Sequence, residues 1–174
     1  ALHLGAGWTI LEMLDPTAAH AFPEQAELMV RLASVNTQEQ LESTAPDLIA
    51  IGPGLGFSGL ARDWLTTALS HPKVPLVLDA DALNLIADTP EFLDLLKERN
   101  RLFPGMCVLT PHPGEAAHLL NTSTTSVQQD RITALSSLVK LTNSIVILKG
   151  QHTLIASPIN SAVQCNQGNP GMAI

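Results

Sequence analysis

Gly54-Leu-Gly56-Phe-Ser-Gly59 matches the pattern G-x-G-x-x-G, and Asp79 follows Gly59 by 20 residues. Glycines let a backbone come close to a ligand, and the free N–H groups of a following helix attract negative charge. The pattern fits a plain strand-to-helix turn, a loop for an anionic or nucleotide-like ligand, or a dinucleotide fingerprint. Asp79 and Asp81 offer two carboxylates close together, with Asn84 beyond. Either Asp81 caps a helix starting at Ala82 and Asn84 is solvated, or the group contacts magnesium or a substrate hydroxyl. His112 stands between Pro111 and Pro113. The following proline keeps it extended, so it is part of a structural turn or a fixed imidazole able to hydrogen-bond a ligand. Gly114 and Glu115 open a helix whose N-terminus favours a carboxylate. Lys149 is one of only four lysines and ends an apolar run, with Gly150 and Thr153 beside it. It is a compact cation suited to a phosphate, or a solvated strand-end lysine. Asn166 to Gly171 is rich in turn residues whose amides could form an anion-binding nest. His3, His20, His71 and His118 have no comparable setting.

These groups need elements to hold them. Strands are predicted at 28–33, 47–51, 76–78, 107–110 and 145–148, with a late hairpin from 153–156 and 162–165. Helices are predicted at 59–70, at 82–99 with an interruption near Pro90, at 114–120 and at 126–141. Continuous apolar strands separated by helices imply a parallel sheet covered on both faces, built with right-handed crossovers. The fold class expected is a doubly wound, three-layer α/β domain, mostly parallel and single over 1–174. The glycine, double-aspartate, histidine and lysine loops each directly follow a strand. In a parallel sheet they must therefore meet along one edge, where ligands bind.

Composition narrows the function. The chain has 174 residues, 9 Lys+Arg and 16 Asp+Glu, a net charge of −7 and a pI near 5.2. That balance gives a phosphate backbone little to hold, so a nucleic-acid partner is not expected. No apolar run approaches the roughly 18 residues of a membrane span, and Cys107 and Cys165 are too few for a disulfide framework or zinc knuckle. A soluble cytoplasmic protein with reduced thiols is expected. Ala1-Leu2-His3 carries neither an initiator Met nor a basic leader.

The run of motifs closely resembles the ADP/ATP-dependent NAD(P)H-hydrate dehydratases of the ribokinase-like superfamily. The matching pieces are GPGLG at 52–56, LDADALN at 78–84, LTPHPGE at 109–115, LKGQHT at 148–153 and GNPGMA at 168–173, in family order over about 46–173. The resemblance implies a ribokinase-like fold and a repair lyase that uses ADP or ATP with Mg²⁺. The family is thought to phosphorylate the ring hydroxyl of hydrated NADH or NADPH and then eliminate phosphate, turning a poor leaving group into a good one. Carried over by motif, Gly54, Gly56, Asp81, Asn84 and His112 would contact NAD(P)H-hydrate. Lys149, Gly150, Gln151, His152 and Thr153, with Asn169 and Gly171, would bracket the nucleotide. No metal ligand is assigned. A cytosolic homotetramer is implied for the full-length protein.

The family pattern continues past NPGMA into a glycine loop ending in Gly-Asp, whose Asp is the catalytic base. Here Ile174 stands where that loop has Thr, and the family's first glycine-rich turn has no match before Ala1. The expectation is an internal piece of a longer domain, incomplete at both ends, with the catalytic Asp beyond Ile174. Loss of a positioned base costs about 10²–10⁴-fold, so little turnover is expected from these residues alone. The rival readings are a ribokinase-like kinase for a small alcohol and a non-catalytic nucleotide-binding module.

Overall fold

The computed structural model describes His3 and residues 5–17 and 27–165. Asn169 and Gly171, with the turn-rich run that holds them, lie outside the described residues. The chain forms two compact units, Ala1–Ala45 and Pro46–Ile174. In the first, β1 (Ile10–Met13) pairs in parallel with β2 (Met29–Leu32), and α1 (Thr37–Thr44) follows. Glu12 joins the three elements. One carboxylate oxygen accepts from Arg31 Nε at 2.7 Å and the other from Gln40 Nε2 at 2.7 Å.

The second unit runs β3 (Ile49–Ile51), α2 (Gly59–Ser70), β4 (Leu76–Leu78), α3 (Ala80–Asp88), α4 (Pro90–Leu102), β5 (Cys107–Leu109) and α5 (Pro113–Leu119). It continues through α6 (Thr124–Gln129), α7 (Arg131–Thr142), β6 (Ile145–Leu148), β7 (Leu154–Ala156) and β8 (Val163–Gln164). The sheet order is β3-β4-β5-β6-β7-β8. The first four strands are parallel and the last two antiparallel. This is the mostly parallel α/β architecture that the strand spacing predicts. Local chemistry sets the boundaries. Ser58 Oγ accepts from Ala61 N at 3.1 Å to start α2. Pro90 cannot extend α3 and instead occupies the first turn of α4. The helix predicted over 126–141 is broken at Asp130, whose carboxylate accepts from Thr133 N at 3.0 Å and begins α7.

Strand order and chain order coincide from β3 to β6, so every right-handed crossover places its helices on the same face of the sheet. The burial pattern follows from this. Leu76, Leu78, Cys107, Leu109, Val146 and Leu148 are all buried toward the helices, where each large aliphatic side chain contributes roughly 1.5–3 kcal/mol. The residues on the other face form two registered rows, Ala50, Val77, Val108 and Ile145 in one and Ile147, Ile155 and Val163 in the other. They are apolar yet half-buried or exposed. No helix of α2–α7 covers them. Burial pushes the Cys107 thiol up, which keeps it protonated and unreactive.

Arg99 is buried beneath the α2–β4 turn. Its guanidinium donates to the carbonyls of Leu69 (3.2 Å), His71 and Val74. It satisfies backbone oxygens at the end of α2 that would otherwise be stranded in the core.

The two faces should answer mutation differently. In urea unfolding of this chain, Leu148→Ala should cost about 2–5 kcal/mol, whereas Val163→Thr on the uncovered face should stay within about 0.5 kcal/mol. Equal losses would contradict the one-sided packing.

Candidate functional site

The carboxyl ends of β3, β4, β5 and β6 run directly into residues 52–56, 79–84, 110–115 and 149–150. These loops meet, as the parallel topology requires. Asp79 N donates to Ile51 O at 3.2 Å, Thr110 N to Leu78 O at 3.0 Å, and Lys149 N to Pro111 O at 2.9 Å. Gly52, at φ 135°, packs so tightly against β4 that an added Cβ would lie 1.7 Å from Asp79 O. The glycine there is compulsory on two counts: backbone conformation and space. Gly54 (φ 68°) and Gly56 (φ 71°) instead face open space, with nothing within 4 Å of an added Cβ.

Charged groups tie the loops together. Lys149 Nζ donates to Asp79 Oδ1 at 2.7 Å and lies 3.9 Å from Glu115 Oε2. The same Asp79 oxygen accepts from Ala80 N at 2.9 Å, so Asp79, and not Asp81, caps α3. The cap sits earlier than Ala82 suggests because the helix begins at Ala80, which is held at φ 46°. Left-handed backbone at a non-glycine residue costs about 1–3 kcal/mol and must be held by its surroundings. Asp81 is thereby freed to reach across to the glycine loop, its Oδ2 accepting from Gly56 N at 2.8 Å.

His112 is the N-cap of α5. Its Nδ1 accepts from Gly114 N (2.9 Å) and Glu115 N (3.4 Å). Buried Glu115 reciprocates, accepting from His112 N at 2.7 Å, which completes a capping box. With Nδ1 occupied as an acceptor, Nε2 carries the ring proton and lies 3.1 Å from Glu115 Oε1. Gly114 is needed because a Cβ there would meet His112 Cε1 at 2.7 Å. Asn84 sits a turn into α3, where its Oδ1 lies 3.1 Å from His118 Nδ1, while His118 Nε2 reaches Asp88 at 2.7 Å. Thr153 Oγ1 donates to Gly150 O at 3.2 Å and closes the 149–153 loop. Gln151 and His152 are exposed on that loop.

Sequence reasoning overlooked Arg131. From the first position of α7 its guanidinium donates to the carbonyls of Leu148 (3.1 Å), Lys149 (3.2 Å) and Gln151. The only signal was a cap-forming Asp directly before it. Two concave surfaces lie elsewhere: one of about 380 Å³ between α6 and α7, and one of about 650 Å³ on the uncovered sheet face by Ile145 and Ile155.

A family model described as NAD(P)H-hydrate dehydratase matches residues 1–174. The chain belongs to the NAD(P)H-hydrate dehydratase family. It is similar to the bifunctional NAD(P)H-hydrate repair enzyme Nnr of Coxiella burnetii, 42% identical over 99% of this chain and 33% of the relative. It also resembles the ADP-dependent (S)-NAD(P)H-hydrate dehydratase of Neisseria meningitidis, 40% identical over 71% of this chain and 40% of the relative. The chain thus spans about a third of the length of curated relatives it matches. A ribokinase-like superfamily protein from Enterococcus faecalis superposes with a TM-score of 0.74 at 25% identity, covering 99% of this chain and 57% of its own. The Bacillus subtilis ADP/ATP-dependent NAD(P)H-hydrate dehydratase, co-crystallised with ATP/Mg²⁺, shares the fold with a TM-score of 0.58 at 23% identity, over 84% and 50%. The dehydratase motifs of this chain thus lie on a ribokinase-like scaffold.

Gly52→Ala should destabilise the second unit by more than about 3 kcal/mol in denaturant unfolding, since backbone meets backbone there. A near-neutral result would refute the close approach of β3 and β4. Hydrogen bonds from the Thr133 backbone and side chain hold the Asp130 carboxyl below its ordinary range. A depressed folded value means that its stabilisation is complete above the ordinary carboxylate range and disappears as pH falls through the folded value. The protection factor of the Thr133 amide, its exchange relative to the intrinsic rate at each pH, should therefore fall on acidification, and Asp130→Asn should remove that fall.

Proposed function

We propose that this chain supplies the substrate- and nucleotide-facing edge of an ADP- or ATP-dependent hydro-lyase that returns NAD(P)H-hydrate to NAD(P)H. One observation carries the reading: in a member of this family, the glycine turn, the Asp79–Lys149 pair and the His112 cap occupy a single edge of the sheet. The reaction moves a terminal phosphoryl group from nucleotide to the ring hydroxyl, whose proton is lost. The C–O bond then breaks with its electron pair on the departing phosphate, and loss of a proton from the neighbouring carbon restores the double bond. Such chemistry needs positioning and charge compensation more than covalent participation.

The residues present divide that work. Gly54 and Gly56 leave backbone accessible for the dinucleotide, and Asp81 holds their loop in shape. Exposed His112 stands on the same strand edge, its ring fixed in direction by its capping bonds and by Glu115. Lys149, held by Asp79, and residues 150–153 face the nucleotide phosphates. Asp79, Asp81 and Glu115 outnumber Lys149 and Arg131 by three charges to two, so a polyphosphate needs a counter-cation at this edge. Among the described residues no cluster of three or more His, Cys, Asp or Glu could hold a metal. Mg²⁺ therefore fits as a partner of the phosphate oxygens, where it would neutralise developing charge. The net charge of −7 argues against a nucleic-acid ligand. Among the described residues no helix is long and apolar enough to cross a membrane.

The test is regeneration of NADH absorbance from NADH-hydrate by the natural full-length protein, with ADP or ATP and Mg²⁺. Nucleotide-dependent recovery is expected, and Lys149→Met should lower kcat/KM by about 10²-fold. His112→Asn preserves a capping side chain and should keep the melting temperature while raising KM for the hydrate. His112→Ala should in addition cost about 0.5–2 kcal/mol. Absence of nucleotide-dependent NADH formation, or phosphoryl transfer to hydroxyethylthiazole in its place, would overturn the proposal.

A further inference from the structure

The 149–153 loop contains two residues in left-handed backbone, Gly150 at φ 136° and His152 at φ 56°. A five-residue loop does not hold such a shape unaided. The Arg131 guanidinium lies beneath it and accepts nothing; its N–H groups take the carbonyls of Leu148, Lys149 and Gln151. Gly150 permits that approach, since a Cβ there would lie 3.1 Å from Nη2.

Peptide planarity gives this clamp a second effect. In a trans peptide the C=O and the next residue's N–H point in opposite directions, and the described chain contains no cis bonds. Turning three carbonyls toward Arg131 turns the N–H groups of Lys149, Gly150 and His152 away from it. The first is taken by Pro111 O. Those of Gly150 and His152 have no partner among the described residues. Two free amides facing outward from a left-handed loop have the geometry of an anion-binding nest.

We infer that Arg131 is a positioning residue for the nucleotide: it binds the loop from behind and thereby aims the Gly150 and His152 amides at phosphate oxygens. This rests on the proposed nucleotide site at 149–153 and adds a determinant outside it. The planar fork matters, because one ammonium cannot hold three carbonyls in that arrangement.

The experiment compares wild-type, Arg131→Lys and Arg131→Met in the natural full-length protein, measuring KM for ADP and for ATP, each with Mg²⁺, and KM for NADH-hydrate. Both substitutions should raise the nucleotide KM by about 10- to 100-fold and leave the hydrate KM within about twofold, a split that general loosening of the fold would not produce. Hydrogen exchange supplies a readout independent of turnover. ADP should protect the Gly150 and His152 amides in the wild type and fail to do so in Arg131→Lys at equal ADP. Should Arg131→Met not fold, Gly150→Ala, which obstructs the clamp from the loop side, should reproduce the selective nucleotide defect. An Arg131→Lys protein with wild-type nucleotide KM and protection would sink this inference alone. A wild type in which ADP and ATP neither bind nor protect would sink the nucleotide site itself.

Discussion

A 2.7 Å bond between Lys149 and Asp79, 70 positions apart in the chain, fixes the geometry of the whole edge. It joins the ends of β6 and β4 across the end of β5, so three strand termini are held in one arrangement. The same aspartate oxygen caps α3, which ties helix placement to the ion pair. Because Asp79 does both jobs, Asp81 is available to the glycine turn. Both partners are half-buried. There the attraction is stronger than at an open surface and the desolvation cost smaller than in a core.

Two arginines repeat one physical solution in different places. Arg99 and Arg131 each spend their guanidinium on three backbone carbonyls rather than on a carboxylate. Under the α2–β4 turn, the result is a satisfied chain reversal inside the core. Beneath the 149–153 loop, it is a strained backbone whose outward face is left free. Geometry of this kind needs a rigid planar donor set, which explains why neither position is filled by one of the chain's four lysines.

Periodicity made the second unit readable. Gly59–Ser70 and Leu76–Leu78 have the boundaries that apolar spacing and flanking Ser and Pro imply, and the convergence of four strand-end loops follows from parallel topology alone. What failed to show has specific causes. Helix α1 reads Thr-Gln-Glu-Gln-Leu-Glu-Ser-Thr and buries only Thr37 and Leu41, so no apolar stripe marks it. The interruption at Asp130 is hidden by a helical pattern that resumes in phase, although Asp itself is a cap-forming residue. Assigning the α3 cap to Asp81 is a two-residue slip that sequence cannot resolve when both candidates are aspartates. Arg131 was invisible because its partners are main-chain oxygens, which leave no mark in side-chain identity.

From β3 to β6 each strand pairs with the one made just before it. No strand must wait for a distant partner, so each strand–helix pair can dock on its predecessor while the remainder is still being synthesised. The ordering of contacts keeps loop-closure entropy low at every step. The last bond of the series, from Lys149 back to Asp79, then acts as a latch that closes only after β6 has left the ribosome.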